Sequence, residues 1–227
     1  MRLARDGMRV AVHYGRDERA ALETADALGP SCAGIFRFEF GPGIDPTELW
    51  REVCGQGPVH ALVNNAGIYA PFDFLVADDE AFVASQAVTM AVNFTTPLLL
   101  SRAACTDFAA RGSGKVVNIA SRVGRKGEAG ASTYAASKAA LINLTRSLAV
   151  ELAPNGIQLY AVAPGWVETA MVRKDMDRRL PEILSGIPLG RMASPDDCAG
   201  AVSYLLSSDA DYLSGITIDI NGASYFA

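Results

Sequence analysis

Metal-binding side chains are scarce in this sequence. Its 227 residues include two histidines and four cysteines, and no two cysteines form a CxxC pair. A zinc site built from cysteine and histidine has almost no material, so we expect no metal and four reduced thiols. Long apolar runs are also missing, and the charged N-terminus is not followed by the apolar core of a secretory signal. We expect a soluble, cytoplasmic protein with no membrane partner.

Charge of one sign is not concentrated anywhere in the chain. The formal net charge is −5, and the Lys and Arg residues are scattered rather than gathered in a stripe. This balance gives no reason to expect nucleic acid as a partner. With 50% hydrophobic and 20% charged residues, the composition is that of one ordinary globular domain with a large core, covering residues 1–227.

Runs rich in Val and Ile alternate with longer segments of helical period. Strands are predicted at 9–14, 35–40, 59–64, 115–120, 157–163 and 216–220. Helices are predicted at 17–28, after Asp45, at 79–110 with a bend near Pro97, at 133–153 and at 195–207. We expect Asp45 and Ser194 to cap the helices that follow them, with Pro46 at the first helical position after Asp45. This alternation predicts a single doubly wound α/β domain, a Rossmann-like parallel sheet with helices on both faces.

A strand followed by a glycine-rich turn, which normally opens a dinucleotide-binding sheet, is missing at the front of the sequence. The chain opens on MRLARDG, which is typical of the tail of the helix after such a turn, with Gly7 ending it. The glycine cluster at 112–114 precedes a strand instead of following one, and the cluster at 124–130 follows a strand, but no helix opens within the glycine spacing. Because the first strand is usually central, two strands would each lack a ladder partner on one side.

Three explanations of this gap remain open. The start could be set too far downstream in an ordinary enzyme. The chain could be shortened and completed by rearrangement or by a partner. It could also descend from a nucleotide-binding protein and no longer bind nucleotide. We favour the first explanation, because the sequence downstream is intact.

Tyr134 and Lys138 lie four residues apart at the start of a predicted helix, so their side chains emerge on one face. A tyrosine that acts as general acid or base at neutral pH needs a depressed pKa, and a lysine ammonium one turn away supplies the stabilising charge. Taken alone, the pair also fits a half-buried tyrosine beside a solvated lysine.

Polar and glycine-bearing breaks stand at the ends of successive predicted strands. Ser121 follows one strand, the segment 64–67 (NNAG) ends another, and the segment 164–169 (PGWVET) ends a third. Asn93 lies inside the long helix, where its side chain is a poor helix former. The carboxyl ends of parallel strands share one edge, so these residues are expected to form one site.

Together these motifs resemble the short-chain dehydrogenase/reductase family. The resemblance rests on Asn64-Asn65-Ala66-Gly67, Ser121, Tyr134-Ala-Ala-Ser-Lys138 and Pro164-Gly165, and it departs from the family in lacking the N-terminal TGxxxGIG turn. It implies that Tyr134 exchanges the proton of the substrate oxygen and that Lys138 lowers the pKa of Tyr134 and binds the nicotinamide ribose. Ser121 would hydrogen-bond the carbonyl oxygen, and Asn93 would hold a water that links Lys138 to solvent.

The resemblance also implies contacts with a nicotinamide cofactor. The residues concerned are Glu39 at the adenine, Asn64, Ala66 and Gly67 at the adenosine ribose, Tyr134 and Lys138 at the nicotinamide ribose, and Pro164, Gly165, Val167 and Thr169 beside the nicotinamide. Arg16 follows the strand at 9–14, where NAD-binding sheets usually carry a carboxylate, and its guanidinium would suit a 2′-phosphate. We therefore expect NADP(H) rather than NAD(H), although Arg16 could also be a solvated turn residue.

The segment 187–201 resembles the 3-oxoacyl-[acyl-carrier-protein] reductase branch of the family or its sugar- and alcohol-oxidising relatives. That resemblance would give Arg173 and Arg111 a role in receiving an acidic carrier protein, and Trp166 and Met171 a place in the substrate pocket; surface arginines and packing residues are the alternatives. It also implies a homo-oligomer, a dimer or tetramer.

Two functions remain open from the sequence. The first is an NADP(H)-dependent oxidoreductase that interconverts a small carbonyl compound, free or carrier-bound, and a secondary alcohol. The second is a non-catalytic binding or assembly subunit that no longer binds nicotinamide. Retention of the four polar side chains favours the first, and the missing glycine-rich turn favours the second.

Overall fold

The computed structural model describes residues 1–75, 78–169 and 176–226, with only the backbone for 176–179. Strands and helices alternate along these residues. The strands are β1 (Val10–Tyr14), β2 (Cys32–Arg37), β3 (Ala61–Asn64), β4 (Gly114–Ile119), β5 (Ile157–Pro164) and β6 (Thr217–Ile220). The helices are α1 (Arg2–Arg5), α2 (Glu18–Leu28), α3 (Thr47–Cys54), α4 (Asp79–Met90), α5 (Thr96–Arg111), α6 (Ser132–Leu152), α7 (Met176–Ser185) and α8 (Pro195–Leu206). Every strand pairing is parallel.

The strands form two separate ladders. β1 pairs only with β2, and β3, β4, β5 and β6 form a four-stranded sheet in chain order. Among the described residues no strand pairs with the free side of β1 or of β3, which is the loss of ladder partners that the sequence predicts. β3 is half-buried over most of its length, whereas β4 and β5 are mostly buried. The Rossmann-like α/β class is therefore confirmed, with its sheet interrupted between β1 and β3.

Successive side chains of the central strands point to opposite faces of the four-stranded sheet. Val116 and Leu159 enter one apolar cluster, with Trp50 of α3 and Phe108 of α5. Their neighbours Val117 and Tyr160 enter a second cluster on the other face, where residues of α8 cover them. Because each central strand contributes to two cores, most side chains of β4 and β5 are apolar, with Lys115, Asn118 and Gln158 as polar exceptions, and helices cover both faces of the sheet as predicted.

Several predicted boundaries are wrong, among them the start of β3, which lies at Ala61 rather than at 59. β2 runs from Cys32 to Arg37 rather than over 35–40, because its partner β1 reaches only from Val10 to Tyr14. The helix after Asp45 begins at Thr47, one residue later than predicted, and Pro46 occupies the cap position. The Asp45 carboxylate still accepts hydrogen bonds from the Thr47 backbone N–H at 3.0 Å and from its hydroxyl.

The long helix predicted at 79–110 is interrupted before Pro97. A π-helical turn over Ala91–Thr95 separates α4 from α5, and Pro97 lies in the first turn of α5, where its missing N–H is tolerated. The whole segment Asp79–Arg111 is long and apolar enough to cross a membrane by length and composition, with 39% of its window buried. Since Leu100 and Phe108 of α5 belong to the core, we interpret it as a core helix of this α/β fold.

Smaller predictions are confirmed by the structure. Gly7 directly follows the cap of α1 and has a φ of +87°. Ser194 caps α8 in a reciprocal pair of hydrogen bonds with Asp197. All four cysteines are free. The helix α7 was not predicted.

Candidate active site

The carboxyl ends of β3, β4 and β5 lie side by side. Asn64, the last residue of β3, is in register with Asn118, and Ile119 of β4 is in register with Val162 of β5. The loops that carry the predicted site residues therefore leave the sheet at one edge. The segment 121–131 then returns the chain to α6, which brings Tyr134 and Lys138 to this edge.

Tyr134 is half-buried at the start of α6. Its ring meets the ring of Tyr69 edge-on, with 5.1 Å between centroids. Burial raises the pKa of Tyr134 above its usual value, while a hydrogen bond with the Ser121 side chain acts in the opposite direction. The sequence predicts a depressed pKa for this phenol. That prediction is wrong, because burial raises the pKa more than the Ser121 hydrogen bond lowers it.

Lys138 lies one turn further along α6 and is only 4% exposed. Its Nζ donates to the backbone oxygen of Ile119 at 2.8 Å and lies 5.8 Å from the centre of the Tyr134 ring. Burial lowers the pKa of Lys138 to about 8. The Lys138 ammonium thus reaches the end of β4 and also lies over the face of the Tyr134 ring.

The π turn directs Asn93 into the site. The Asn93 side chain accepts from the backbone N–H of Ile68 at 2.8 Å and donates to the Ile68 oxygen at 2.9 Å, so it fixes the loop after β3. It also donates to the Ser137 hydroxyl at 3.3 Å. The amide of Asn93 thereby ties that loop to α6. The water that Asn93 was expected to hold stays a prediction.

Gly67 stands where Asn93 and Lys138 meet. A Cβ on Gly67 would lie 3.3 Å from the Asn93 Oδ1 and 3.4 Å from the Lys138 Nζ. A side chain at this position would therefore occupy the space in front of both groups. The structure brings these three residues together, as the sequence predicts, while Ala66 beside them is exposed.

Asn64 is buried, and its amide is used inside the protein. Its Nδ2 donates to the Asn118 Oδ1 at 2.8 Å and to the Ser101 hydroxyl at 3.1 Å. Asn118 in turn donates to the Thr145 hydroxyl of α6 at 2.9 Å. Sequence reasoning missed this buried polar chain, although a lone Asn within the apolar run of β4 is a signal for it. The cofactor contact assigned to Asn64 stays a prediction.

The loop after β5 packs against the C-terminal turn. The Gly165 N–H donates to the Ile220 oxygen at 2.8 Å, and a Cβ on Gly165 would lie 3.1 Å from the Asn221 backbone. Close approach of two backbones therefore explains the glycine after Pro164. Val167 forms a parallel bridge with Ala193. Thr169 is half-buried at the end of this described stretch.

Arg16 and Glu39, assigned to different parts of the cofactor, form an ion pair at 3.2 Å. The two side chains are 86% and 47% exposed, so the pair contributes little stability and leaves Arg16 free to engage another anion. Of the two arginines considered for a carrier protein, Arg111 donates to the Val59 oxygen and lies 5.3 Å from the Phe108 ring. Arg173, like Met171, lies outside the described residues.

Two ion pairs in the segment 121–131 were not foreseen from the sequence. Arg122 pairs with Glu128 at 3.1 Å, and Arg125 pairs with Asp219 of β6 at 2.7 Å. Both arginines are largely buried, and the Arg122 guanidinium lies 5.9 Å from the ring of Trp166. A sequence offers no signal for these pairs beyond four charged residues in loops and on a strand.

The fold is of the Rossmann-like α/β class, and the structure gathers a tyrosine, a lysine and a serine at one edge of its sheet. A family model described as enoyl-(acyl carrier protein) reductase matches residues 1–223. An acetoacetyl-CoA reductase of Rhizobium meliloti is 36% identical over 97% of this chain and 90% of its own length. Nodulation protein G of Azospirillum brasilense is 39% identical over 97% of this chain and 89% of its own length. A 3-oxoacyl-[acyl-carrier-protein] reductase of Vibrio cholerae is 36% identical over 98% of this chain and 89% of its own length.

The chain belongs to the short-chain dehydrogenase/reductase family, and it is an oxidoreductase. Membership of this family implies a nicotinamide cofactor. The described residues fit the nicotinamide end of such a cofactor, since the glycine at position 67 leaves space in front of the buried Lys138 ammonium. The described residues provide no further strand beside the free edges of β1 and β3, and no glycine-rich turn there that could bind the pyrophosphate.

Proposed function

We propose that this chain is an NADP(H)-dependent oxidoreductase that interconverts a 3-oxoacyl thioester or related small carbonyl compound and its secondary alcohol. The observation that carries the proposal is the meeting of Ser121, Tyr134 and Lys138 at one sheet edge, with Asn93 behind them. A 3-oxoacyl substrate is supported by the names of relatives that match nearly the whole chain. We place the enzyme in the cytoplasm as a homo-oligomer, by analogy with the family.

The residues of the site divide the proton chemistry between them. When bound, the nicotinamide supplies or accepts the hydride. In reduction, the Tyr134 phenol gives its proton to the carbonyl oxygen, and the Ser121 hydroxyl donates a hydrogen bond to the same oxygen. Burial raises the pKa of Tyr134, so the phenol carries its proton at neutral pH, and the Ser121 hydrogen bond, which lowers that pKa, favours release of the proton. The Lys138 ammonium then stabilises the phenolate until a proton returns.

The cofactor would lie along the carboxyl edge of the strands. Lys138 and Tyr134 would bind the nicotinamide ribose, Ala66 and Gly67 would border the adenosine ribose, and the segment 164–169 would flank the nicotinamide. The NADP(H) preference is supported by Arg16, whose exposed guanidinium is held only by the Glu39 carboxylate.

Substitution Tyr134→Phe tests the catalytic role. It removes the proton donor but keeps the ring, so turnover of acetoacetyl-CoA with NADPH should fall about 10²- to 10⁴-fold, with a much smaller loss of NADPH affinity. The matched control is Tyr212→Phe, since Tyr212 is fully exposed and distant in sequence from the site. Turnover by Tyr134→Phe within a factor of two of the parent chain would refute the assignment.

Substitution Arg16→Ala tests the cofactor preference. Loss of a charge-assisted contact with the 2′-phosphate should weaken NADPH binding roughly 10- to 100-fold and leave NADH binding unchanged. Fluorescence titration of the purified chain with each cofactor gives both constants. Arg19→Ala is the control, because Arg19 is equally exposed and also forms one ion pair, with Glu23. Equal losses for the two cofactors would contradict the preference. A folded chain that binds neither cofactor would favour the non-catalytic alternative.

A further inference from the structure

The segment that joins Ser121 to Tyr134 contains a charged pair with no part in the proton transfer described above. The Arg122 guanidinium and the Glu128 carboxylate are 3.1 Å apart, and their side chains are 9% and 26% exposed. Arg122 directly follows Ser121. The backbone oxygen of Glu128 accepts a hydrogen bond from the N–H of Ala131, the residue at the N-cap of α6. The pair therefore spans the segment between the two catalytic groups.

Arg122 also contacts the other walls of the site. Its Nη1 donates to the Ser224 hydroxyl in the C-terminal turn at 3.3 Å, and its guanidinium lies over the Trp166 ring in the loop after β5. The Nε of Arg122 is buried and makes no hydrogen bond with the described residues. An unsatisfied buried donor is costly, so the position of the guanidinium is set by the Glu128 charge rather than by complete hydrogen bonding.

We propose that Arg122 is a positioning residue of this active site, which neutralises Glu128 and holds the segment 121–131 so that Ser121 stays against Tyr134. The inference rests on the proposed catalytic role of Tyr134. It adds that a buried ion pair, outside the reacting groups, fixes the charge that the catalytic phenol experiences. An Arg122 that only filled space would have no effect on that charge.

The charge environment of Tyr134 supports this role. The Glu128 carboxylate is close enough to raise the pKa of Tyr134, as does the neighbouring Tyr69, whereas the Ser121 hydrogen bond lowers it. The Lys138 ammonium lies over the Tyr134 ring. The other charged groups of the segment 121–131 and of the adjoining loop and strand are Lys126, which is exposed, Glu168 in the loop after β5 and the Arg125–Asp219 pair. Only Glu128 combines a charge that affects Tyr134 with an ion pair to the residue beside Ser121.

Opposite substitutions in the pair should therefore move the ionisation of Tyr134 in opposite directions. Arg122→Met leaves the Glu128 charge uncompensated and should raise the midpoint of the Tyr134 titration by roughly half a pH unit or more. Glu128→Gln leaves the Arg122 charge uncompensated and should lower it by a similar amount. The double variant removes both charges, so its midpoint should return close to that of the parent chain.

Carbon-13 NMR of chains labelled at the tyrosine hydroxyl-bearing carbon follows this ionisation directly, and Tyr134→Phe assigns the signal. Arg125→Met is the matched control, since it breaks an equally buried ion pair in the same segment that does not affect the Tyr134 pKa. Arg122→Lys keeps the charge and should restore the parent midpoint. If Arg122→Met fails to fold, Glu128→Gln and Arg122→Lys still test the inference.

Shifts in the same direction for Arg122→Met and Glu128→Gln, or no shift in either, would overturn the inference. A shift in Arg125→Met as large as in Arg122→Met would also overturn it, because any disturbance of the segment would then suffice. The NMR readout needs no turnover, so it separates this inference from the proposed function. Turnover by the Tyr134→Phe chain would refute the proposed catalytic role of Tyr134, whatever the result of the NMR titrations.

Discussion

Lys138 is a buried cation that should reduce the stability of the fold at neutral pH. Its ordinary pKa of 10.5 falls to about 8 in the folded chain because burial disfavours the charged form. Between about pH 8 and pH 10.5 the unfolded chain therefore holds a proton that the folded chain has lost, so stability rises with pH across this window. Below pH 8 both states are charged, and the full penalty of burying the ammonium is present.

Substitution Lys138→Met should remove this penalty. A difference of about 2.5 in pKa corresponds to about 3 kcal/mol. Loss of the hydrogen bond to the Ile119 oxygen offsets about 1 kcal/mol of it. We expect Lys138→Met to be about 2 kcal/mol more stable than the parent chain at pH 7, with the gain disappearing near pH 10.5, and to be catalytically inactive.

Urea unfolding at pH 7 and pH 10, followed by tryptophan fluorescence under reducing conditions, measures both free energies. Comparison at each pH cancels the tyrosine and cysteine ionisations that the two chains share. Lys126→Met serves as the control, since Lys126 is exposed in the segment before α6 and its loss should change stability little at either pH. A Lys138→Met chain less stable than its parent at pH 7, or equally shifted at both pH values, would refute the reasoning.

Two further substitutions test the packing of the fold. Gly156→Ala should lower the free energy of unfolding by about 3 kcal/mol or more, measured by urea denaturation, because Gly156 has a φ of +72° and a Cβ there would lie 2.1 Å from the Gly112 oxygen; a loss below about 1 kcal/mol would contradict this. Asn118→Ala should cost about 2–4 kcal/mol by removing two buried hydrogen bonds, one accepted from Asn64 and one donated to Thr145, and unchanged thermal stability would show that water replaces the amide.

The parts of the fold that follow from local pattern were predictable from the sequence. The apolar runs of β4 and β5 identify strands buried on both faces, and the capping pattern at Ser194 places the start of α8. The interruption of the sheet follows from the missing glycine-rich turn. The end of β2 does not, because a strand extends only as far as its neighbour, and the length of β1 sets that limit.

The grouping of the predicted site residues at one sheet edge was predictable, whereas the electrostatics of these residues were not. Spacing alone places Tyr134 and Lys138 on one face of α6. The pKa of Tyr134 depends on burial beside Tyr69 and on where the Lys138 ammonium points, and both are set by tertiary packing. The same holds for the Arg122–Glu128 pair, whose partners meet only through the shape of a loop.

The π turn over Ala91–Thr95 changes the rotation of α5 about the helix axis relative to α4. One extra residue in a helix rotates everything after it by about 100°. Without the extra residue, the angle about the helix axis between Asn93 and the core residues Leu100 and Phe108 would change by up to about 100°. Removal of one residue from this turn would therefore force a choice between an intact core and an oriented amide. The irregular turn is what lets one continuous helical segment serve both as a structural support and as a part of the active site.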